Sequence, residues 1–162
     1  METQQAGVRY VPPGEGRAVW GSGDTYTFKA VGEDTNEAFT LFEGEIPPQS
    51  GPPPHIHHWE DEAYYVLEGE LEVLGGERTF TAGAGSFVYI PRGTVHRFKN
   101  VGDATARMLL MFTPAGAENF FFEAGVPATK GGTPPPVGPE EIERTLTLAP
   151  KYGWEVLLPS EA

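Results

Sequence analysis

Residues 55–62 read His-Ile-His-His-Trp-Glu-Asp-Glu, and they contain three of the four histidines in the 162-residue chain. Imidazole and carboxylate groups gathered in this way, in a chain without cysteine, are typical of a site for a borderline or hard transition metal rather than a thiolate zinc site. The fourth histidine, His96, lies in a second patterned stretch further along the chain. We therefore take residues 55–62 as the centre around which the fold is organised.

The spacing within this stretch indicates which side chains can meet. His55 and His57 are two residues apart, so on an extended strand both imidazoles project from the same face and can reach one metal ion. Glu62 lies five residues after His57, which would place it on the opposite face of an unbroken strand. A turn or bulge within residues 58–61 must therefore restore the parity if Glu62 is a ligand.

The second patterned stretch begins with a tight turn at residues 91–94, Pro-Arg-Gly-Thr, which would direct His96 and Phe98 inward on the next strand. Tyr64 and Val66 share the strand face of Glu62, so we place both of them, with Phe98, in the wall of a substrate pocket. Three imidazoles and one carboxylate leave one or two positions of a five- or six-coordinate ion open for a substrate or dioxygen.

The pattern of the rest of the chain predicts an antiparallel all-β fold. Apolar and polar residues alternate in residues 25–31 and 38–46. The connector at residues 47–54, which is rich in proline, lacks most backbone donors and leads directly into the histidines. Further short apolar runs, each ending at turn residues, occupy 63–67, 71–74, 78–81, 87–90, 95–101 and 104–113. This spacing favours a sandwich or barrel over a sheet with crossover helices.

Beyond Pro114 the pattern predicts short helical or extended segments. Residues 117–124 fit either a helix or one more strand, residues 126–139 a linker or wrapping loop, and residues 140–146 a second short helix. Residues 152–158 are too hydrophobic to stay in water, so we expect them to dock on the barrel or on a partner subunit. The predicted organisation is one domain over residues 1–162, with an N-terminal arm that contains one short edge strand (1–24), a barrel core (25–114) and a C-terminal wrapping segment (115–162).

The charge of the chain excludes two classes of partner. Twenty-three acidic residues against 11 basic ones give a net charge of −12, which would repel nucleic acid and anionic membrane surfaces. The sequence contains neither a long apolar run nor the basic-then-apolar order of a signal peptide, so we expect a cytoplasmic location.

The spacing of these residues closely resembles the two motifs of the cupin superfamily. The first motif, a glycine followed by His-x-His, four residues, a glutamate, six residues and a glycine, corresponds to Gly51, His55, His57, Glu62 and Gly69. The second, a glycine, five residues, Pro-x-Gly, two residues, a histidine, three residues and an asparagine, corresponds to Gly85, Pro91, Gly93, His96 and Asn100. One departure is that three prolines separate Gly51 from His55, where the family usually has five residues.

The resemblance implies a small antiparallel jelly-roll barrel in which His55, His57, Glu62 and His96 hold one divalent transition metal ion. Iron, nickel, manganese, cobalt and zinc all accept these ligands, so the sequence leaves the metal open. The run around the histidines and the C-terminal tail also resemble small single-domain bacterial cupins that are grouped with quercetin 2,3-dioxygenase. Barrels of this family commonly pair, which implies a homodimer.

We therefore predict a metal-dependent dioxygenase that acts on a small phenolic or enol-bearing molecule, with dioxygen as a second substrate. Glu62 is the expected catalytic residue, because it could take the substrate proton if burial raises its pKa. Two alternatives remain open. One is a non-oxidative isomerase, lyase, decarboxylase or cyclase that uses the same metal ligands. The other is a cupin that binds a small molecule without turning it over.

Overall fold

Residues 7–158 are described by the computed structural model, whereas residues 1–6 of the expected N-terminal arm and residues 159–162 of the expected C-terminal segment lie outside this range. Within residues 7–158 the chain forms twelve strands and two α-helices. The strands are β1 (Arg17–Gly21), β2 (Asp24–Ala30), β3 (Thr40–Ile46), β4 (His55–His57), β5 (Asp61–Glu68), β6 (Glu70–Gly75), β7 (Arg78–Gly83), β8 (Phe87–Ile90), β9 (His96–Lys99), β10 (Ala106–Thr113), β11 (Val126–Pro127) and β12 (Trp154–Val156). The helices are α1 (Glu118–Ala124) and α2 (Pro139–Leu148).

The strands form two antiparallel sheets whose inner faces share one core. The larger sheet has the order β11-β1-β2-β3-β10-β5-β8, and the smaller one has the order β12-β4-β9-β6-β7. This arrangement confirms the predicted antiparallel jelly-roll fold. No hydrogen-bonded ladder joins the two sheets within residues 7–158, so packed side chains, rather than a continuous circle of backbone pairs, hold them together.

Strand β10 occupies an interior position in the larger sheet, and its sequence alternates strictly. Leu110 and Phe112 point inward and are buried, while the residues between them face outward and are partly exposed. Leu110 pairs with Phe42 of β3 on one side and with Tyr64 of β5 on the other. Because β10 is paired with a strand on each side, its register is fixed. Phe112 lies directly opposite Glu62.

Aromatic side chains bridge the larger sheet and helix α1. Phe28 stacks on Phe42 with ring centroids 4.7 Å apart, and Phe121 packs against both rings. Burial of a side chain of this size contributes about 1.5–3 kcal/mol to folding. The aromatic contacts therefore fix the helix against the interior of the barrel.

Residues 118–124 form helix α1 rather than an additional strand, and Glu118 anchors its first turn. The buried carboxylate accepts hydrogen bonds from Thr40 Oγ1 at 2.6 Å, from the Gly116 N–H at 2.7 Å and from the Gly32 N–H at 3.0 Å. These donors come from three separate segments, so the anchor cannot be recognised from the local pattern of residues 118–124. The second predicted helix is α2, which begins and ends slightly outside the predicted bounds.

The hydrophobic segment at residues 152–158 docks on the barrel of its own chain. Strand β12 pairs with β4 in antiparallel orientation, and Trp154 lies opposite His57. The ladder covers what would otherwise be an open edge of the smaller sheet, next to the histidines.

Strand β1 is not the edge strand that the sequence suggested. It lies between β2 and β11, because Val126 and Pro127, at the start of the predicted linker, pair with Trp20 and Val19. Neither helix in residues 7–158 is long and apolar enough to cross a membrane.

Candidate metal centre

Three histidines and one glutamate meet between the two sheets. His55 and His57 lie on β4, His96 lies opposite His55 on β9, and Glu62 lies on β5. One potential ligand atom from each residue lies within 4.8 Å of the others, and all four side chains are buried. The structure therefore brings together the four residues that the sequence singled out.

The break between β4 and β5 explains how Glu62 reaches the histidines. Residues 58–60 are not part of a strand, and across them the chain passes from the smaller sheet to the larger one. Glu62 thus approaches His55 and His57 from the facing sheet. The parity problem posed by the odd spacing disappears because the two strands do not share a sheet.

Each of the three imidazoles is oriented by a contact at Nδ1. The oxygen partners are the Pro53 carbonyl for His55 at 2.8 Å, Glu60 Oε1 for His57 at 2.8 Å and the Thr94 carbonyl for His96 at 2.9 Å. An oxygen acceptor at Nδ1 favours the tautomer that carries its hydrogen there. The Nε2 lone pairs are then available to bind an ion.

The Nε2 atoms converge on the Glu62 carboxylate. Glu62 Oε2 lies 2.8 Å from His96 Nε2 and 3.1 Å from His57 Nε2. The second contact lacks hydrogen-bond geometry, and His57 Nε2 is a buried atom without a hydrogen-bond partner among the described residues. An unsatisfied buried polar atom costs about 1–3 kcal/mol. A cation held by the three Nε2 atoms and the carboxylate would satisfy it, so the donor set fits a divalent transition metal ion.

The electrostatics of the cluster favour positive charge at its centre. Burial has the largest single effect on His57 and opposes its protonation, but the charge of Glu62 and the hydrogen bond to Glu60 outweigh it and raise the pKa of His57 to about 9. Burial likewise opposes ionisation of Glu62, but the charge of His57 and the contacts with both histidines hold the pKa of this carboxyl well below its usual range. The carboxylate therefore stays ionised beside a site that attracts a cation.

The pKa of His55 is shifted in the opposite direction to that of His57. Burial, followed by the positive charges of His96 and His57, lowers the pKa of His55 well below its usual value. His55 is accordingly a neutral imidazole at ordinary pH, which is the form that binds a metal ion.

Glu60 and Trp154 complete the surroundings of His57, and the sequence analysis did not identify either of them as a site residue. Glu60 is only 4% exposed, and its Oε1 accepts a 2.6 Å hydrogen bond from Trp154 Nε1 while contacting His57 Nδ1. The Trp154 ring stands edge-on to His57, with centroids 4.3 Å apart. Glu60 could have been predicted from its position three residues after His57. Trp154 could not, because it lies 94 residues after Glu60 and no local pattern links the two.

His58 and Arg92 lie outside the cluster. His58 is about half exposed, and its Nε2 lies 3.1 Å from Glu155 Oε2. Arg92 pairs with Asp61 at 3.1 Å on the surface. Neither side chain is placed to contact an ion held by the four central residues.

An apolar cavity of about 60 Å³ opens beside the cluster. Its wall includes His55, His57 and Glu62 together with six aromatic residues, Tyr26, Phe98, Phe112, Phe120, Phe121 and Trp154. An outer chamber of about 390 Å³ shares part of this wall, namely Ser22, Pro52, Pro53, Thr145 and Val156. A molecule that enters through the outer chamber would therefore place only a small end near the cluster.

The three residues predicted to form the substrate pocket occupy different places. Phe98 lies in the cavity wall. Tyr64 and Val66 are buried in the core outside that wall, and the Tyr64 ring packs edge-on against Phe98 with centroids 5.6 Å apart. The structure differs from the prediction because strand alternation identifies inward-facing residues but does not say how far along the strand the cavity extends.

Comparison with known proteins agrees with this geometry. Residues 42–112 match the Cupin domain family. The chain is also similar to the solved structure of the polyketide cyclase RemF from Streptomyces resistomycificus, with 30% identity, a TM-score of 0.58, and coverage of 66% of this chain and 80% of RemF. The chain belongs to the cupin superfamily. His55, His57, Glu62 and His96 all lie within the residues that this family model matches.

The names of two curated relatives of this cupin indicate two different kinds of chemistry. The polyketide synthase CurC from Streptomyces cyaneus is 48% identical over 61 residues, which cover 37% of this chain and 39% of CurC. Quercetin 2,3-dioxygenase from Bacillus subtilis is 26% identical over 127 residues, which cover 78% of this chain and 37% of the dioxygenase. The cupin thus spans less than half the length of these curated relatives, and its homologues include enzymes of more than one class.

Proposed function

We propose that this cupin is a metal-dependent enzyme that acts on a small enol- or phenol-bearing molecule by non-oxidative cyclisation. In this proposal His55, His57, Glu62 and His96 hold one divalent transition metal ion, and the single domain predicted from the sequence carries the whole site. The observation that carries the proposal is the convergence of four buried donor side chains, of which His55, His57 and Glu62 also line a cavity with aromatic walls. The similarity to RemF supports the cyclase reaction over other reactions of such a site.

A bound ion would act as a Lewis acid toward an enol or phenol oxygen and so favour its deprotonated form. The protein would position the substrate and keep water away from it. Phe112, Phe120 and Trp154 form apolar walls around the small end of the substrate that reaches the cavity, and they would exclude water that competes for the reacting oxygen. The adjacent Pro52 and Pro53 restrict the backbone at the boundary between the cavity and the outer chamber.

Glu62 remains the proposed catalytic carboxylate, because it lies in the cavity wall where a substrate hydroxyl would meet it. A role as the base would require burial to raise the pKa of Glu62, whereas the neighbouring histidines lower it. A carboxylate with a low pKa is a good metal ligand and hydrogen-bond acceptor but a weak base. The proposal therefore gives Glu62 the task of holding the ion and orienting the substrate hydroxyl.

A dioxygenase reaction is the second candidate, and one specific observation favours it. The alignment with quercetin 2,3-dioxygenase extends over 78% of this chain, further than the alignment with CurC. In this case the positions of the ion that the protein leaves open would serve the substrate and dioxygen.

Turnover with and without oxygen distinguishes the two reactions. The purified protein, with its metal content determined by elemental analysis, is incubated with a linear poly-β-keto ester and, separately, with flavonols and catechols. A cyclic product formed under strict anaerobiosis supports the cyclase. Oxygen uptake with the phenols and no anaerobic product would transfer the proposal to the dioxygenase, and recovery of every compound unaltered would favour a binding protein without turnover.

We also propose that the cupin forms a homodimer through the solvent-facing side of β5 and β8. Tyr65, Phe87 and Tyr89 are 45%, 66% and 55% exposed, and Tyr65 lies directly opposite Phe87 in the ladder. A second copy fits this face because pairing would remove these three exposed aromatic side chains from water, and aromatic side chains repel little between two chains of net charge −12. Light scattering should return twice 17.6 kDa for the wild type and a monomer for Phe87→Ser; a wild-type monomer ends the proposal.

A further inference from the structure

A buried carboxyl that the proposed chemistry does not use lies next to the cavity. Asp24, at the start of β2, has no exposed surface, and no described cation pairs with it. Two side-chain donors hold it: Tyr26 Oη donates to Oδ2 at 2.8 Å, and Ser50 Oγ donates to Oδ1 at 2.5 Å. Burying a carboxyl without a cation is costly, so a group of this kind marks a site where a proton is held or exchanged.

Tyr26 connects this carboxyl to the cavity. Its side chain lies in the cavity wall, and its hydroxyl group donates a hydrogen bond to Asp24 Oδ2. The charge of Glu62 contributes to the raised pKa of Tyr26, although burial and Asp24 contribute more. Glu62 and Tyr26 line the same cavity, so a substrate hydroxyl bound there could contact both side chains.

Resting on the proposed function, we propose that Asp24 and Tyr26 form the acid–base pair that takes the proton from an enol or phenol substrate. Tyr26 is the catalytic residue, because it touches the substrate, and Asp24 acts through it.

The proton transfer balances without any further reactant. The substrate O–H bond breaks and its proton bonds to Tyr26 Oη, while the Tyr26 O–H bond breaks and its proton bonds to Asp24 Oδ2. The products are a substrate oxyanion, an unchanged tyrosine and a neutral Asp24 carboxylic acid. The reverse transfer returns the proton to an oxyanion of the product.

The proton affinity of Asp24 suits this task. Burial, opposed by the hydrogen bonds from Ser50 and Tyr26 and aided by the charge of Glu141, raises the pKa of Asp24 to about 7. Glu141 of helix α2 and Tyr26 are the titratable groups that act on it within the described residues. A base with a pKa near the working pH exchanges protons most effectively.

Proton counting during ligand binding tests the inference. Catechol is titrated anaerobically into the metal-loaded protein by calorimetry, in pairs of buffers with different ionisation enthalpies, between about pH 5.5 and pH 8.5. In the wild type we expect release of nearly one proton per catechol bound at the acid end, where Asp24 is already protonated. Release should fall toward zero at the alkaline end, with a midpoint near 7, because Asp24 then takes the proton.

Three variants separate this relay from a structural role. Asp24→Asn and Tyr26→Phe should each release nearly one proton per catechol at every pH. Ser50→Ala should keep the fall and move its midpoint to higher pH, since the lost hydrogen bond is one that lowers the pKa of Asp24. In infrared difference spectra of wild type against Asp24→Asn without catechol, a protonated carboxyl band should disappear as pH rises through about 7.

The outcomes distinguish failure of the inference from failure of the proposed function. Catechol binding with a proton release that does not change with pH in the wild type overturns the relay and leaves the proposed function intact. Absence of the titrating infrared band overturns the relay independently of any ligand. Absence of catechol binding to the metal-loaded wild type overturns the phenol-binding function and the relay with it.

Discussion

Replacement of Asp24 with asparagine is expected to change how the stability of this cupin depends on pH. The folded protein raises the pKa of this carboxyl from 3.8 to about 7, mainly through burial. Between these pH values the folded state holds a proton that the unfolded state has released, so the free energy of unfolding falls as pH rises. The contribution of Asp24 is complete below about pH 4 and is lost as pH rises through about 7.

The magnitude follows from the change in pKa. A rise from 3.8 to about 7 corresponds to about 4 kcal/mol, since a tenfold change in proton affinity is worth 1.36 kcal/mol. Asparagine keeps the shape of the side chain and carries no titrating proton. The difference in unfolding free energy, wild type minus Asp24→Asn, should therefore decrease by about 4 kcal/mol between pH 4 and pH 8.

Urea unfolding followed by tryptophan fluorescence at several pH values measures this difference, and both proteins are compared under the same metal conditions. Asp103→Asn is the matched control, because it makes the same chemical change at an exposed position. A difference for Asp24→Asn that stays constant within about 1 kcal/mol over this range would refute the reasoning, and with it the claim that Asp24 exchanges a proton near neutral pH.

Four further predictions concern the metal centre. His96→Ala should lose the bound metal in elemental analysis, whereas His58→Ala, whose side chain lies outside the cluster, should retain it; equal metal content in the two proteins would contradict the assignment. Glu60→Gln should weaken metal affinity by about 10–100-fold in a chelator competition, because His57 loses a charged acceptor, and unchanged affinity would show that this contact is dispensable. Chelation should lower the melting temperature of the wild type, since an ion present at 100 times its dissociation constant stabilises the fold by about 2.7 kcal/mol, and it should leave His96→Ala unaffected. Glu62→Gln with its metal retained should lose most turnover if this carboxylate orients the substrate, and undiminished turnover would remove it from the mechanism.

The C-terminal segment contributes aromatic side chains to the cavity wall beside the cluster. Phe120 and Phe121 of α1 and Trp154 of β12 all line the cavity. Trp154 also packs on Phe120 with ring centroids 4.1 Å apart. Residues outside the two sequence motifs therefore shape the access to the four clustered residues.

The sequence alone determined the jelly-roll fold and which four residues meet in the cluster. Strand alternation placed His55 and His57 on one face, and the turn before His96 placed that residue inward. These properties depend on neighbours within a few positions, because a strand repeats every two residues and a turn needs particular residues at particular positions. Three glycines of the two motifs, Gly69, Gly85 and Gly93, have positive φ angles of 77°, 86° and 84°.

Only the tertiary structure decided the surroundings of the cluster. Two contacts join residues from different strands or loops: Trp154 with Glu60, and Asp24 with Ser50. The position of Tyr64 outside the cavity wall likewise depends on how the strands pack. The low pKa of Glu62 likewise depends on histidines of the facing sheet. Burial, distance and electrostatic environment are properties of the packed interior, so a local pattern can supply the ligands of this site but not the environment that sets their chemistry.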